Sequence, residues 1–145
     1  MKFTREMKIR EMRSKCKEKI VSGIDVSFTN DNTVIEHFEL TIEDQVNLNG
    51  LRAMVYSNNG VNNTLIPYHC KGGEFKYYSR EDILKIIECM DKHILYHTSY
   101  FNSLKMYINN LTDYNVVNSV EYGQEIPFEY MSEVFKSFFL EEDAI

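Results

Sequence analysis

Nine side chains, Ile83, Ile87, Met90, Ile94, His97, Phe101, Leu104, Ile108 and Leu111, follow one another at alternating spacings of four and three residues. No other feature limits the fold of the chain so strongly. That spacing lays every one of them along a single stripe of an α-helix, a heptad seam sustained over four repeats. If unbroken, the helix covers about 30 residues and roughly 45 Å at a rise of 1.5 Å per residue. Water does not tolerate such a stripe bare, so the seam is buried either by the rest of the domain or by partner copies. Ser79 and Asp82 read as the cap that starts the helix. Thr98-Ser99 marks the place where it could break, since neither residue favours a helix interior.

The segments around this helix divide at turn chemistry. An amino-terminal helix carries Ile9, Met12, Cys16 and Ile20 at spacings of three and four, and Ser22-Gly23 stops it. GIDVSFT, NDN and TVIEHFEL read as strand, turn and strand. Thr41 with Asp44 resembles a capping pair ahead of a helix bearing Leu48, Leu51 and Val55, and SNNGVNN is the loop after it. TLIPYHC, KGG and EFKYYS form a second hairpin, in which Pro67 points to an edge or irregular strand. After the long helix, Thr112 is expected to cap a short helix that runs to Val120. Pro127 then opens a last helix with Phe128, Met131, Phe135 and Phe138 as its aromatic stripe. Two hairpins set between helices make an α+β fold, a single domain at 22–140. It is preceded by the basic amphipathic helix at 1–21 and followed by a solvated acidic tail at 141–145.

A chain of 145 residues with 43% hydrophobic and 13% aromatic content can bury a core without metal or disulfide staples. Cys16, Cys70 and Cys89 are odd in number and share no spacing. No leader-like segment precedes the charged start MKFTREMKIRE, so reduced thiols and synthesis in a cytoplasm without export are expected. No apolar run approaches the roughly 20 residues that a membrane span needs.

Charge is divided unevenly. Residues 1–21 hold eight Lys or Arg against three Glu, a charge of +5, and the remainder carries −11 of the net −6. The bland reading of the basic helix is a solvated face. The functional reading is docking on an acidic neighbouring protein through Arg5, Lys8, Arg13 and Lys17. Nucleic acid fits worst, because no aromatic stacking pattern or base-reading motif accompanies the charge. The phenylalanine stripe, Phe128, Phe135 and Phe138, belongs either to the domain's own core or to a contact between subunits.

Chemistry-bearing motifs are few. His93 and His97 stand one helical turn apart, which suits zinc, yet Ile94 occupies the position where the zincin pattern places its glutamate. His97 lies on the seam and reads as a core histidine bonded to a neighbour such as Tyr100. His69-Cys70 adds only a weak second pair of ligands. No Gly-rich phosphate loop or G-x-S-x-G elbow is present, and Cys70 and Cys89 sit where small buried hydrophobes do. Neither enzyme activity, cofactor nor metal is expected.

The strings REMKIREMRSKCKEKIVSGIDV, HFELTIEDQVNLNGL, IPYHCKGGEFKYYSREDILKIIECMDKHILYHTSYFNSLKMYI and VEYGQEIPFEYMSEV cover nearly the whole chain. They resemble a family of small proteins from phage and prophage tail clusters of Gram-positive bacteria, most specifically in the DQVNL, PYH and YHTSYFN pieces. Residues 37–111 are also similar, more loosely, to a phage tail-associated domain family of unknown function. The resemblance implies a structural component of a phage or phage-derived contractile tail, at the baseplate or tail-fibre attachment. Its partners would be other tail proteins and its location the virion tail or tail-like particle, with no nucleic acid and no membrane involved. A tail-fibre assembly chaperone absent from the finished particle is the alternative. No catalytic residue is carried over.

The missing zincin glutamate and the sparse ligand set generate a direct test. Protein purified without a histidine tag should hold only substoichiometric zinc by metal analysis. One full equivalent, lost in His93→Ala or His97→Ala, overturns the seam assignment of His97.

Overall fold

The basic helix α1 (Arg5–Ser22) ends where the sequence says it should. Gly23, the residue after its last turn, sits at φ +94°, a conformation that L side chains rarely adopt, and an added Cβ there would lie 2.0 Å from the carbonyl oxygen of Phe38. The turn brings β1 (Ile24–Phe28) alongside β2 (Asp31–Phe38), antiparallel, with Ile24 opposite Phe38 and Val26 opposite Glu36. The computed structural model describes residues 4–28, 31–57 and 65–143. Asn30 of the expected NDN turn, most of the SNNGVNN loop and the last two residues lie outside them.

The capping pairs form as expected. At the start of α2 (Ile42–Tyr56), Thr41 Oγ1 accepts from the Asp44 N–H and Asp44 Oδ2 accepts from the Thr41 N–H, a reciprocal capping box. Ser79 Oγ accepts from the Asp82 N–H at 3.1 Å and starts α3 (Arg80–Asn110). Between them, β3 (Ile66–Tyr68) and β4 (Lys76–Tyr78) make the second hairpin, in which Pro67 pairs with Tyr77. The two sheets are separate and two-stranded. The fold is α+β, with a long helix and two antiparallel hairpins.

No break interrupts α3 at Thr98-Ser99. Thr98 Oγ1 donates to the Ile94 carbonyl at 2.8 Å and Ser99 Oγ to the Tyr96 carbonyl at 3.1 Å, so both hydroxyls are satisfied by the preceding turn and leave the helix intact. Along the seam, Ile83, Ile87, Met90, Leu104 and Ile108 are fully buried. Ile94, His97, Phe101 and Leu111 are half-buried.

Two expectations at the carboxyl end need correction. The short helix α4 (Tyr114–Ser119) is capped by Asp113 rather than Thr112, with Asp113 Oδ1 accepting from the Asn115 N–H at 2.8 Å. Pro127 does not open the last helix. It precedes a single 3₁₀ turn at Phe128–Tyr130, and α5 starts afresh at Glu133 and runs to Asp143. Ser132 supplies the break: its hydroxyl accepts from the Phe135 N–H, and its own N–H donates to Ser103 Oγ at 2.9 Å. Helix α5 runs on into the acidic tail as far as Asp143.

Contacts group the chain into two compact units, residues 20–93 on one hand and residues 1–19 with 94–145 on the other. In the contiguous unit, Phe38 is the centre of a ring cluster with Phe28, Tyr68 and Tyr78, at centroid distances of 6.3, 6.0 and 6.1 Å. Glu36 ties the two hairpins together, accepting from Lys76 Nζ at 2.8 Å and Tyr78 Oη at 3.0 Å. Burial pushes its carboxyl up, but the bonds from Lys76, Cys70 and Tyr78 outweigh this and hold it below the usual value. In the discontinuous unit, Met12 of α1 joins Tyr100, Leu104 and Ile108 of α3, Val117 of α4 and Phe135 of α5 in one buried cluster.

At Gly23 the backbone of Phe38 leaves no room for a side chain. Gly23→Ala should destabilise the protein by more than about 1–2 kcal/mol, the cost of the left-handed conformation alone, because the methyl also meets the Phe38 carbonyl. Gly50→Ala, with nothing within 4 Å of its Cβ, serves as the control and should be neutral or stabilising in the same thermal unfolding measurement.

Candidate interaction surfaces

The four basic residues singled out on α1 have different surroundings. Arg5 donates through both Nε and Nη2 to the Leu111 carbonyl at the carboxyl end of α3, and its guanidinium lies 5.5 Å from the Tyr114 ring centroid. A cation there opposes the negative end of the helix dipole. Lys8 is only 4% exposed. Its ammonium donates to the Asn118 and Val120 carbonyls, both at 3.1 Å, and pairs with Glu11 at 3.1 Å. It thereby closes the carboxyl end of α4. Arg13 covers the Phe101 ring at 5.4 Å. Lys17 is exposed. Two of the four proposed docking cations thus hold the fold of their own unit, and a periodicity argument that treats lysine as solvent-facing misses this.

The aromatic stripe also divides. Phe135 is buried in the cluster and Phe138 packs against it. Phe128, on the 3₁₀ turn, is 70% exposed, with Lys136 Nζ 4.3 Å from its ring centroid. The break at Ser132 separates it from the helix that carries the other two.

His97 is half-buried on the seam, but its partner is Tyr122 and not Tyr100. Nδ1 lies 2.8 Å from Tyr122 Oη, and the two rings stack at 6.0 Å. Cys16 completes the group, its thiol donating to the His97 carbonyl at 3.3 Å. Tyr122 follows the short helix by sequence but reaches back across 25 residues to α3, a contact no local spacing announces. Among the described residues, no group of three or more His, Cys, Asp and Glu could hold a metal ion.

The thiols are tuned away from nucleophilic work. Burial raises the Cys16 and Cys89 pKa values, and at Cys70 burial and the neighbouring Glu36 carboxylate both push it up. Burial likewise pushes the Tyr68 and Tyr100 phenols up to about 12. None of these groups is poised for acid, base or nucleophilic chemistry near neutral pH.

Two outward faces of the 20–93 unit are apolar. Helix α2 buries Leu48 and Val55, and the opposite face carries Ile42, Val46 and Ala53, with Ile42 70% and Val46 64% exposed. Gly50 on that face leaves open space. In the second hairpin, Ile66, Tyr68 and Tyr78 point inward, while Pro67 and Tyr77 are a cross-strand pair on the outside. Phe75 and Leu65 beside them are exposed as well. Neither face was picked out in the sequence, because the two-residue and helical periods were read for burial only.

Among the described residues, no helix is long and apolar enough to cross a membrane. No protein-family model, curated protein or solved structure matches the chain.

The contrast along α1 is measurable by urea unfolding. Lys8→Ala, which strands the buried Val120 carbonyl and the part-buried Asn118 carbonyl, should cost about 1–3 kcal/mol. Lys17→Ala should stay within about 0.5 kcal/mol of the parent protein. Equal effects of the two changes contradict the assignment of Lys8 as an internal cap.

Proposed function

We propose that the chain is a non-enzymatic structural component of a phage or phage-derived contractile tail, at the baseplate or the tail-fibre attachment. Its role there is to hold neighbouring tail proteins. The observation that carries this reading is the outer face of α2. A helix that buries Leu48 and Val55 on one side and exposes Ile42, Val46 and Ala53 on the other is apolar on both. Large apolar side chains left exposed on one face, here beside the polar Asn49, are a feature of protein–protein contact sites. Gly50 on the same face lets another backbone come close.

Three further points support the reading. The resemblance of the DQVNL, PYH and YHTSYFN segments to tail-cluster proteins supplies the setting. DQVNL lies within α2, so one resembling segment coincides with the exposed face. Burial raises the thiol pKa values, which suits cysteines that pack rather than react.

Mass spectrometry of purified particles tests the proposal. The chain is expected at stoichiometric level with other tail proteins, and Val46→Asp, at an exposed position, should keep the parent unfolding temperature while incorporation falls. A chain missing from intact particles, yet required for their fibres to assemble, establishes the chaperone role instead. Normal incorporation of Val46→Asp removes the α2 face from the argument.

A further inference from the structure

Tyr96 and Tyr100 are one turn apart on α3, and Phe135 and Phe139 are one turn apart on α5. These four rings, with Met131 and Glu125, surround a cavity of about 310 Å³. Tyr96 and Tyr100 are nearly parallel, 10° apart with centroids separated by 6.4 Å. Phe135 meets Tyr96 at 5.6 Å and Tyr100 at 5.5 Å, and Phe139 meets Phe135 edge-on at 5.2 Å. Tyr100 and Phe135 are buried and form the inner wall, whereas Tyr96 is 38% and Phe139 44% exposed at the mouth.

The inner wall is held by hydrogen bonds at Tyr100. Tyr100 Oη donates to the Gln124 carbonyl at 2.6 Å and accepts from the Gly123 N–H at 2.9 Å. The Gln124 side chain in turn accepts from the Glu121 N–H at 2.8 Å. Tyr100 is therefore held by the 123–124 loop, and its hydroxyl is committed to that loop. What remains for an occupant is mainly aromatic surface, with the Ile126 side chain, the Met131 thioether, the Gln124 amide and the Glu125 carboxylate.

Each property of this lining selects a chemistry. Aromatic faces carry negative quadrupole density and attract cations, more strongly where water is excluded. Glu125 is the one ionisable carboxylate among the lining residues, and no Lys, Arg or His joins it. An anion would find no basic side chain there. A hard metal ion would find rings where it needs oxygen ligands. A neutral apolar group would meet the rings but gain nothing from the exposed Glu125 carboxylate, while an alkylated ammonium is attracted by both. The volume lies at the small end of ligand pockets, fitting a head group rather than a whole drug-sized molecule.

We propose that this cavity is an aromatic cage for a quaternary or tertiary alkylammonium group. Tyr96, Tyr100, Phe135 and Phe139 supply cation–π contacts and Glu125 the counter-charge. The ammonium could be presented by a free small molecule or by a methylated lysine side chain of another protein. The site stands apart from the tail assignment, because its test uses the purified protein alone.

Choline and its neutral carbon isostere, 3,3-dimethylbutan-1-ol, are the probes for an amide NMR titration of the full chain. Choline should give saturable shifts at Tyr96, Gly123, Glu125 and Phe139 in the millimolar range, and the isostere should bind at least about threefold more weakly. Tyr96→Leu, which keeps apolar volume, and Glu125→Gln should each weaken choline binding by about three- to thirty-fold. Both are to be compared only after their unfolding temperatures match the parent's. A trimethyllysine peptide that binds more tightly than choline identifies the protein-borne source; weaker binding identifies the free one. Equal binding of choline and its isostere, unchanged binding by Glu125→Gln, or no saturable shift with either probe overturns the proposal.

Discussion

An apolar seam that runs the length of a 31-residue helix has to be covered, and this requirement organises both units of the protein. An isolated helix gains little from its own hydrogen bonds in water, so its stability comes from the side chains packed on its stripe. In the contiguous unit the seam contributes the fully buried Ile83, Ile87 and Met90. In the discontinuous unit Leu104 and Ile108 are covered by α1, α4 and α5, through Met12, Val117 and Phe135. The polar groups inside this second unit follow from the same packing. Lys8 and Ser103 are buried with the core, and each is placed where a helix terminus presents unpaired backbone groups: Lys8 to carbonyls, Ser103 to the N–H of Ser132.

Much of this architecture was legible because its signals are local. The 4/3 spacing announced α3, Thr41 with Asp44 and Ser79 with Asp82 announced the helix starts, and Gly23 announced the first turn. These depend on residues no more than a turn or two apart. What escaped reading depends on distance. Tyr122 rather than Tyr100 bonds His97, and Lys8 meets α4 across 110 residues and more. The last helix starts at Glu133 and not after Pro127 because Ser132 is engaged by Ser103. A lysine on an amphipathic helix looks solvent-facing until a partner helix end is placed over it.

The candidate surfaces were legible only in part for a related reason. Sequence periodicity identifies which face of an element is buried, and the mind stops there. Helix α2 and the second hairpin each satisfy the core with one face and remain apolar on the other, so their interaction potential appears only when exposure is known residue by residue. The basic helix gave the opposite impression. Its charge suggested a docking arm, yet Arg5 and Lys8 are occupied by carbonyls of their own unit, which leaves Arg13, lying over the Phe101 ring, and Lys17 as the exposed pair among the four named cations.

The division of the chain has a consequence for its birth on the ribosome. Residues 20–93 are contiguous and can begin to fold as soon as they emerge, whereas α1 belongs with residues 94–145. Helix α1 therefore emerges well before the residues that cover it. At elongation rates of about 5–20 residues per second it waits several seconds, with Met12 and Cys16 still in water, for the aromatic segment that buries them. Closing so long a loop is entropically costly and slow relative to local contacts. During that interval the charge of +5 over residues 1–21 sets like-charged copies of the segment against one another, a physical effect distinct from any contact it makes once folded.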